Sequence, residues 1–248
     1  RKLVIHEQNA VPGFTNKLLA KIANQVFEAF PNTFSQSKKV IHTGNPMRKE
    51  IAQLAQRTRS LKEASRPLQI LVLGGSQGAL AINKVVPELL ANWPEENRPS
   101  TRHQTGDSTL ERTQQAYRDR GLVLSKRIDV LPFISDMAQA YVWADLVICR
   151  SGASTVSEIA AAGLPSILVP YPHHSDHQQK HNANWLVQAG AALLLEQKDL
   201  TVPALKALLL DLDKNRGKLQ QMSDRAKSIA ICDADEIIAR RCLELIHA

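Results

Sequence analysis

The stretch Cys149-Arg150-Ser151-Gly152-Ala153-Ser154-Thr155-Val156-Ser157-Glu158 holds the residue types best suited to chemistry in this chain. An apolar run, Ala144-Asp145-Leu146-Val147-Ile148, leads into it, and Ile159-Ala160-Ala161-Ala162-Gly163 follows as a small-residue helix with a glycine stop. Strand, Ser/Gly/Thr loop and helix is how an α/β protein offers backbone N–H groups to a phosphate. Glu158, expected in the first turn of that helix, places a carboxylate beside the same N–H groups. Phosphate donors beside one carboxylate suit a nucleotide with a free ribose. A plainer reading is available: Thr155-x-x-Glu158 has the spacing of a capping box, in which Glu158 reaches back to an N–H. Arg150, Ser151 and Ser154 in the same loop exceed what a cap requires.

Other segments invite similar questions. Gly74-Gly75-Ser76-Gln77-Gly78-Ala79 follows a buried strand. It serves either to bring Ser76 and backbone N–H groups to a diphosphate or simply to turn the chain tightly. It is neither the dinucleotide fingerprint nor a P-loop. His173, His174, His177 and His181 suggest a metal, with His177 and His181 one helical turn apart, but no defined ligand set accompanies them. The same segment offers a second capping box, Asp176-x-x-Gln179. It also offers Gln178, Gln179 and Asn182, neutral amides that both donate to and accept from sugar hydroxyls. His6-Glu7-Gln8-Asn9 follows a strand, at the carboxyl edge where such folds bind ligands, or is a polar loop turned by Pro12-Gly13. Gly44-Asn45-Pro46-x-Arg48 brings a cation into a turn, and Ala138, Tyr141 and Val142 read as core.

The elements that must position these residues alternate. Strands are expected at 2–5, 25–29, 40–43, 68–73, 101–104, 128–131, 145–149, 166–169 and 192–196. Helices are expected at 15–24, 47–64, 79–90, 108–120, 135–144, 155–162, 176–189, 202–212, 215–230 and 233–246. Strands alternating with helices give a doubly wound parallel sheet. The 248 residues suffice for one large or two modest domains, and 4% aromatics leave the core to Ala, Leu, Val and Ile. The net charge of +7 is dispersed, which fits phosphorylated substrates or an anionic membrane face and indicates no nucleic-acid patch. Three scattered cysteines form neither a disulfide framework nor a metal cage and favour a reducing compartment. No apolar run is long enough to span a bilayer and no signal peptide is visible. Arg1-Lys2-Leu3-Val4-Ile5 reads as a strand already under way without an initiator Met, so the chain is expected to continue something upstream.

In order along the chain, His6-Glu7-Gln8-Asn9-Ala10, Gly44-Asn45-Pro46-x-Arg48, Gly74 to Ala79, Phe133-Ile134-x-Asp136-Met137, Cys149 to Pro165 and Gln178-Gln179-x-x-Asn182-Ala183 form a series. That series resembles the family 28 glycosyltransferases, the bacterial transferases that complete lipid II, from Leu3 to the C-terminal helix. The resemblance implies a GT-B fold of two Rossmann-like domains. Residues 1–46 would belong to the N-terminal acceptor domain and residues 47–231 to the UDP-sugar donor domain. Residues 232–248 would form a helix crossing back. It implies inverting transfer of N-acetylglucosamine from UDP-N-acetylglucosamine to the 4-hydroxyl of the muramoyl sugar of lipid I (undecaprenyl-pyrophosphoryl-muramoyl pentapeptide). No cofactor or metal is implied, and the enzyme would be peripheral on the cytoplasmic face of the anionic inner membrane. Ile134 would hold the uracil edge through its backbone with Phe133 beside it. Glu158 would bind the ribose, and Ser76 with the loop through Ala153, Ser154, Thr155, Val156 and Ser157 the diphosphate. Gln178, Gln179 and Asn9 would reach the sugar, with Arg48 near the donor.

One departure matters. The family's Gly-Gly-Thr-Gly-Gly-His loop, with the histidine considered for base or phosphate work, is absent from these residues, as is most of the membrane-docking patch. The expectation is a chain that binds donor and is inactive alone. Rival readings are a non-catalytic UDP-sugar-binding subunit, a UDP-N-acetylglucosamine epimerase on the same fold, and an NAD-dependent oxidoreductase, which the missing fingerprint disfavours.

Overall fold

A computed structural model describes residues 1–61, 66–75, 79–173 and 176–247. The chain starts with β1 (Val4–Glu7), α1 (Phe14–Ile22), β2 (Gln25–Glu28) and β3 (Val40–His42), whose strands form a three-stranded parallel sheet in the order β1-β2-β3. After α2 (Lys49–Ala52) come β4 (Gln69–Leu73), α3 (Leu80–Ala91), β5 (Ser100–Gln104), α4 (Leu110–Arg118), β6 (Ile128–Leu131), α5 (Met137–Trp143) and β7 (Leu146–Cys149). Then follow α6 (Ala153–Ala162), β8 (Ser166–Leu168), α7 (Gln178–Gln188), β9 (Ala192–Leu194), α8 (Val202–Lys214), α9 (Arg216–Ser228) and α10 (Ala234–His247). These strands build a six-stranded sheet in the order β6-β5-β4-β7-β8-β9, parallel throughout. The expected parallel α/β architecture is therefore present, with each strand close to its expected span.

That order reverses direction between β4 and β7. The crevice outside the carboxyl ends of these two strands is the switch point where such sheets bind ligands. The strands are apolar because helices cover both faces: Leu146, Val147 and Ile148 are wholly buried. Two apolar clusters result, one under α3, α4 and α8 and one under α5, α6 and α7. The second cluster also takes in Ala29 and Phe30 from the end of β2, and Phe30 meets Trp185 of α7 edge-on at 5.3 Å between centroids. The small sheet thus docks on the large one. At the junction Gly44 has φ +76°, and a Cβ there would lie 2.8 Å from the Cβ of Ile231, so the turn into the large sheet requires glycine.

The long polar helix expected at 47–64 does not form. The helix stops at Ala52, a 3₁₀ turn covers Gln53–Gln56, and Arg57 is extended; residues 62–64 lie outside the described residues. Only Ile51 gives α2 a fully buried apolar anchor, too little to hold a long helix by packing. The extended chain instead carries Leu61 into the core. It also carries Arg59 to the carboxyl end of α5, where its guanidinium donates to Tyr141 O (2.6 Å) and Ala144 O. Likewise Thr15 caps nothing: α1 starts at Phe14 behind Gly13, without a side-chain cap.

A buried polar cluster ties β5 to the helices above it. His103, with no exposed surface, pairs Nδ1 with the Tyr117 hydroxyl (2.9 Å) and Nε2 with Asn83 Oδ1 (3.0 Å). Asn83 Nδ2 in turn donates to Thr105 O and Thr109 Oγ1. Burial lowers the His103 pKa from 6.5 to about 3, so the folded protein keeps the ring neutral. Below pH 6.5 the unfolded chain takes up a proton that the folded chain refuses. Stability from this residue therefore falls as pH drops from about 6.5 towards 3, by about 1.4 kcal/mol per pH unit. Urea denaturation at pH 7 and pH 5 should show a smaller loss for His103→Gln than for the parent; an equal loss would contradict this.

Candidate functional site

The site is assembled at the carboxyl ends of β4 and β7. Apolar β7 delivers Cys149, and Arg150, Ser151 and Gly152 carry the chain into α6. The helix begins at Ala153, two residues before the expected Thr155. Gly152 takes the cap position with ψ 145°, and no side chain caps the helix. Val156 N–H bonds Gly152 O (2.9 Å), so the N–H groups of Ala153, Ser154 and Thr155 belong to the first turn, where the helix provides no partner. Gly163, in the left-handed conformation at φ 57°, ends the helix as expected.

The capping-box reading of Thr155 and Glu158 is thereby overturned. The first turn holds no acidic residue, and Glu158 sits in the second turn. Its carboxylate has other partners: Tyr141 donates its hydroxyl to Oε2 (2.8 Å), and Arg48 Nη2 stands 3.5 Å from Oε1. Glu158, 17% exposed at its side chain, lines a cavity of about 230 Å³ together with Leu73, Gly75, Gln104, Phe133, Ile134, Met137, Tyr141, Cys149, Arg150 and Thr155. The cavity walls include the exposed Phe133 ring, the partly buried Ile134 and Thr155 from the first turn of α6. Burial pushes the Cys149 thiol up to about 12, so it contributes apolar wall and no thiolate. An anionic ligand here meets helix N–H groups and a favourable dipole, with one carboxylate set back to accept hydroxyl protons.

Some expected residues are occupied elsewhere. Arg150 donates to Val169 O and Pro170 O, both at 3.0 Å, and to Gln197 Oε1, so its guanidinium fastens the end of β8. Ser151 is buried and donates to Gln179 O (2.7 Å). Val156 is wholly buried, and Ser157 Oγ donates to Ala153 O and accepts from Asn45 Nδ2 (3.1 Å), so the side chains of both serve packing. Ser154 is exposed at the helix start. Ser76 lies outside the described residues.

The second capping box fails too. Helix α7 starts at Gln178 behind His177, which adopts the left-handed φ 49° and caps nothing with its side chain. Asp176 accepts from Gln178 N–H, while Gln179 Oε1 accepts from Tyr171 N–H (2.9 Å). Gln178 and Gln179 are both partly exposed at the start of the helix. Asn182, read from sequence as a sugar-binding amide, is fully buried and spent. Its Oδ1 accepts from Ala10 N–H (2.8 Å), and its Nδ2 donates to Asn9 Oδ1 (3.2 Å) and Ser151 O (3.3 Å). It thereby brings Asn9, the phosphate-loop candidate and the Gln178–Gln179 turn into one place. Glu7 shapes the same loop by accepting from the N–H groups of Asn9 and Gly13 and from Asn16 Nδ2. Among the described residues no group of three or more His, Cys, Asp or Glu is placed to hold a metal ion, and His177 and His181 are exposed. A second cavity at the opposite end of β4 and β7 is lined by Arg57, Arg59, Arg66 and Asp145; Arg66 grips Asp145 with both nitrogens, and Arg59 is spent on the carbonyls of Tyr141 and Ala144.

The glycosyltransferase family 28 C-terminal domain matches residues 69–237, the segment that carries the cavity and α6. This chain belongs to glycosyltransferase family 28. Curated family 28 relatives include one from Marinobacter nauticus, 46% identical over 244 residues, and one from Pseudomonas paraeruginosa, 49% identical over 243. Both are named UDP-N-acetylglucosamine--N-acetylmuramyl-(pentapeptide) pyrophosphoryl-undecaprenol N-acetylglucosamine transferase. Each match takes in 98% of this chain but only 66% of the relative's length. The crystal structure of Acinetobacter baumannii MurG superposes with a TM-score of 0.83 at 39% identity, covering 98% of this chain and 68% of that one. A putative UDP-N-acetylglucosamine 2-epimerase from Listeria monocytogenes shares the fold at 15% identity and a TM-score of 0.64, covering 96% of this chain and 64% of that one. The GT-B character of this family 28 chain follows from these neighbours.

Sequence reasoning missed Tyr141, whose phenol in an apolar helix was a signal in itself, because a buried Tyr hydroxyl needs a partner. It also missed Arg59 and the linking role of Asn182. Asn182→Ala removes three hydrogen bonds and strands buried partners, so urea denaturation should show a loss of about 3 kcal/mol. Asn182→Asp keeps an acceptor for Ala10 but turns a carboxylate towards two oxygens and should cost at least as much; a loss below about 1 kcal/mol in both would contradict the linking role.

Proposed function

We propose that this chain carries the donor half of an inverting glycosyltransferase that moves N-acetylglucosamine from UDP-N-acetylglucosamine to the muramoyl 4-hydroxyl of lipid I, forming lipid II. The observation that carries the reading is the Glu158 carboxylate, freed from any capping duty and set beside the uncapped start of α6. Ile134 holds the uracil edge through its backbone with Phe133 alongside, and Glu158 accepts from the ribose. The N–H groups of Ala153, Ser154 and Thr155, with Ser76, receive the diphosphate, while Asn9, Gln178 and Gln179 reach the sugar and Arg48 lies near the donor. The names of the curated relatives support both the donor and the lipid acceptor.

The chemistry follows from the leaving group. As the bond from the anomeric carbon to the diphosphate breaks, negative charge grows on UDP, and the N–H groups and dipole of α6 stabilise it without reorganising. The acceptor hydroxyl attacks from the opposite face, which inverts the anomeric centre in one displacement. The proton it loses goes to a base that these residues do not provide, since the Gly-Gly-Thr-Gly-Gly-His loop is not among them. A peripheral position on the cytoplasmic face of the membrane fits a lipid-linked acceptor. Helix α1 fits an anionic surface, with exposed Phe14, Leu18 and Ile22 one turn apart and Lys17 and Lys21 between them. Among the described residues no helix is long and apolar enough to cross a membrane.

Calorimetry should show UDP and UDP-N-acetylglucosamine binding and NAD not binding. Glu158→Gln should weaken UDP about tenfold, equivalent to ~1.4 kcal/mol. Absent UDP binding, or an unaffected variant, would remove the donor reading. Mixed with radiolabelled donor and lipid I, this chain alone should transfer nothing; turnover would show that the base lies within these residues. Turnover of donor without acceptor would favour the epimerase.

A further inference from the structure

Tyr141 is 1% exposed, on an apolar helix whose neighbours pack in the core. A phenylalanine would fill the same space, so the hydroxyl needs its own explanation. It lies 2.8 Å from Glu158 Oε2 and both residues line the cavity. The residue is clamped at its backbone as well, because Arg59 donates to Tyr141 O at 2.6 Å. The other partner of Glu158 is held less firmly. Arg48 is 51% exposed and 3.5 Å from Oε1, beyond a normal hydrogen bond.

We propose that Tyr141 is the positioning residue that makes Glu158 selective for a ribose diol over a 2′-deoxyribose. This rests on the reading of Glu158 as the ribose acceptor. A carboxylate has about four lone-pair directions, and the Tyr141 hydroxyl takes one of those on Oε2. The remaining directions on the two oxygens match the two adjacent O–H donors of a diol, provided that the carboxylate plane does not rotate. Tyr141 supplies that restraint from a buried, backbone-clamped ring. Burial first, and the Glu158 charge second, hold the phenol well above its ordinary pKa, so the hydroxyl keeps its proton at neutral pH. A 2′-deoxy nucleotide leaves one oxygen of a fixed, half-buried carboxylate without its partner, which is the condition under which a site rejects an analogue lacking a hydroxyl. Released from Tyr141, the carboxylate turns towards Arg48 and no longer distinguishes the two sugars.

The test is the affinity of the parent and of Tyr141→Phe for UDP and for 2′-deoxy-UDP, by calorimetry. The parent should prefer UDP by roughly tenfold or more, and Tyr141→Phe should cut the preference to below about threefold while leaving 2′-deoxy-UDP affinity within about twofold. A variant that weakens both ligands equally has lost only structure, and that result overturns the proposal. So does a variant with an undiminished preference. If Tyr141→Phe fails to fold, 4-fluorophenylalanine at position 141 fills the space of the hydroxyl without its donor and should likewise cut the preference; an undiminished preference there is equally fatal. A parent that binds UDP without preferring it over the deoxy form removes the ribose role of Glu158 itself. That failure appears in the unsubstituted protein and so is distinct from a failure of Tyr141.

Discussion

The buried amide of Asn182 is the contact on which the crevice depends. It joins residues 172 positions apart, accepting from Ala10 and donating to Asn9 and Ser151. The small sheet β1-β2-β3 packs against the elements that flank the large one, and that packing needs a fixed register. Phe30 on Trp185 provides apolar area for that docking, and Asn45, donating to Gln8 O and Ser157 Oγ, adds a second polar tie. Apolar contact alone permits sliding. The directional bonds of two buried amides fix where the Asn9 loop sits against α6 and α7.

From that registration the rest of the site follows. The order β6-β5-β4-β7-β8-β9 opens a crevice between β4 and β7, and the chain leaving β7 must turn into α6 there. A glycine at the cap leaves the first turn of α6 without a side chain to satisfy it, which is a stability cost where no ligand is bound and a binding surface where one is. Glu158 one turn further along is held by groups from two other segments: Tyr141, whose helix is fastened by Arg59, and Arg48 from the turn after the small sheet. Glu158 and Asn9 are thus each held by residues from other segments of the chain. Such division of labour keeps a site pre-organised.

Strands such as β4, a short apolar run between Pro67 and Gly74, were legible, and parallel order follows from the alternation with helices. The loop between β7 and α6 was legible in form: a Ser/Gly-rich turn between strand and helix. What a single segment could not reveal was which of its polar residues are consumed by distant partners. Arg150 and Asn182 look like ligand-binding residues in sequence, yet one fastens β8 and the other bridges the two sheets. Thr155 and Asp176 look like caps, yet the helices start elsewhere because glycine at 152 and a left-handed His177 set the turns. The long polar helix after Met47 failed for the converse reason: good local propensity without an apolar face to bury. Tyr141 was read as core and is core; its hydroxyl belongs to the site.

In the proposed function a nucleotide sugar lies across this switch point with its base at Ile134, its ribose on Glu158 and its diphosphate at the start of α6. A crystal structure of this chain with UDP-N-acetylglucosamine decides whether it does. Uracil should lie against the Ile134 backbone, ribose hydroxyls within hydrogen-bond distance of Glu158, and diphosphate oxygens on the N–H groups of Ala153 to Thr155. Nucleotide density anywhere else on the protein, or ribose turned away from Glu158, would contradict it.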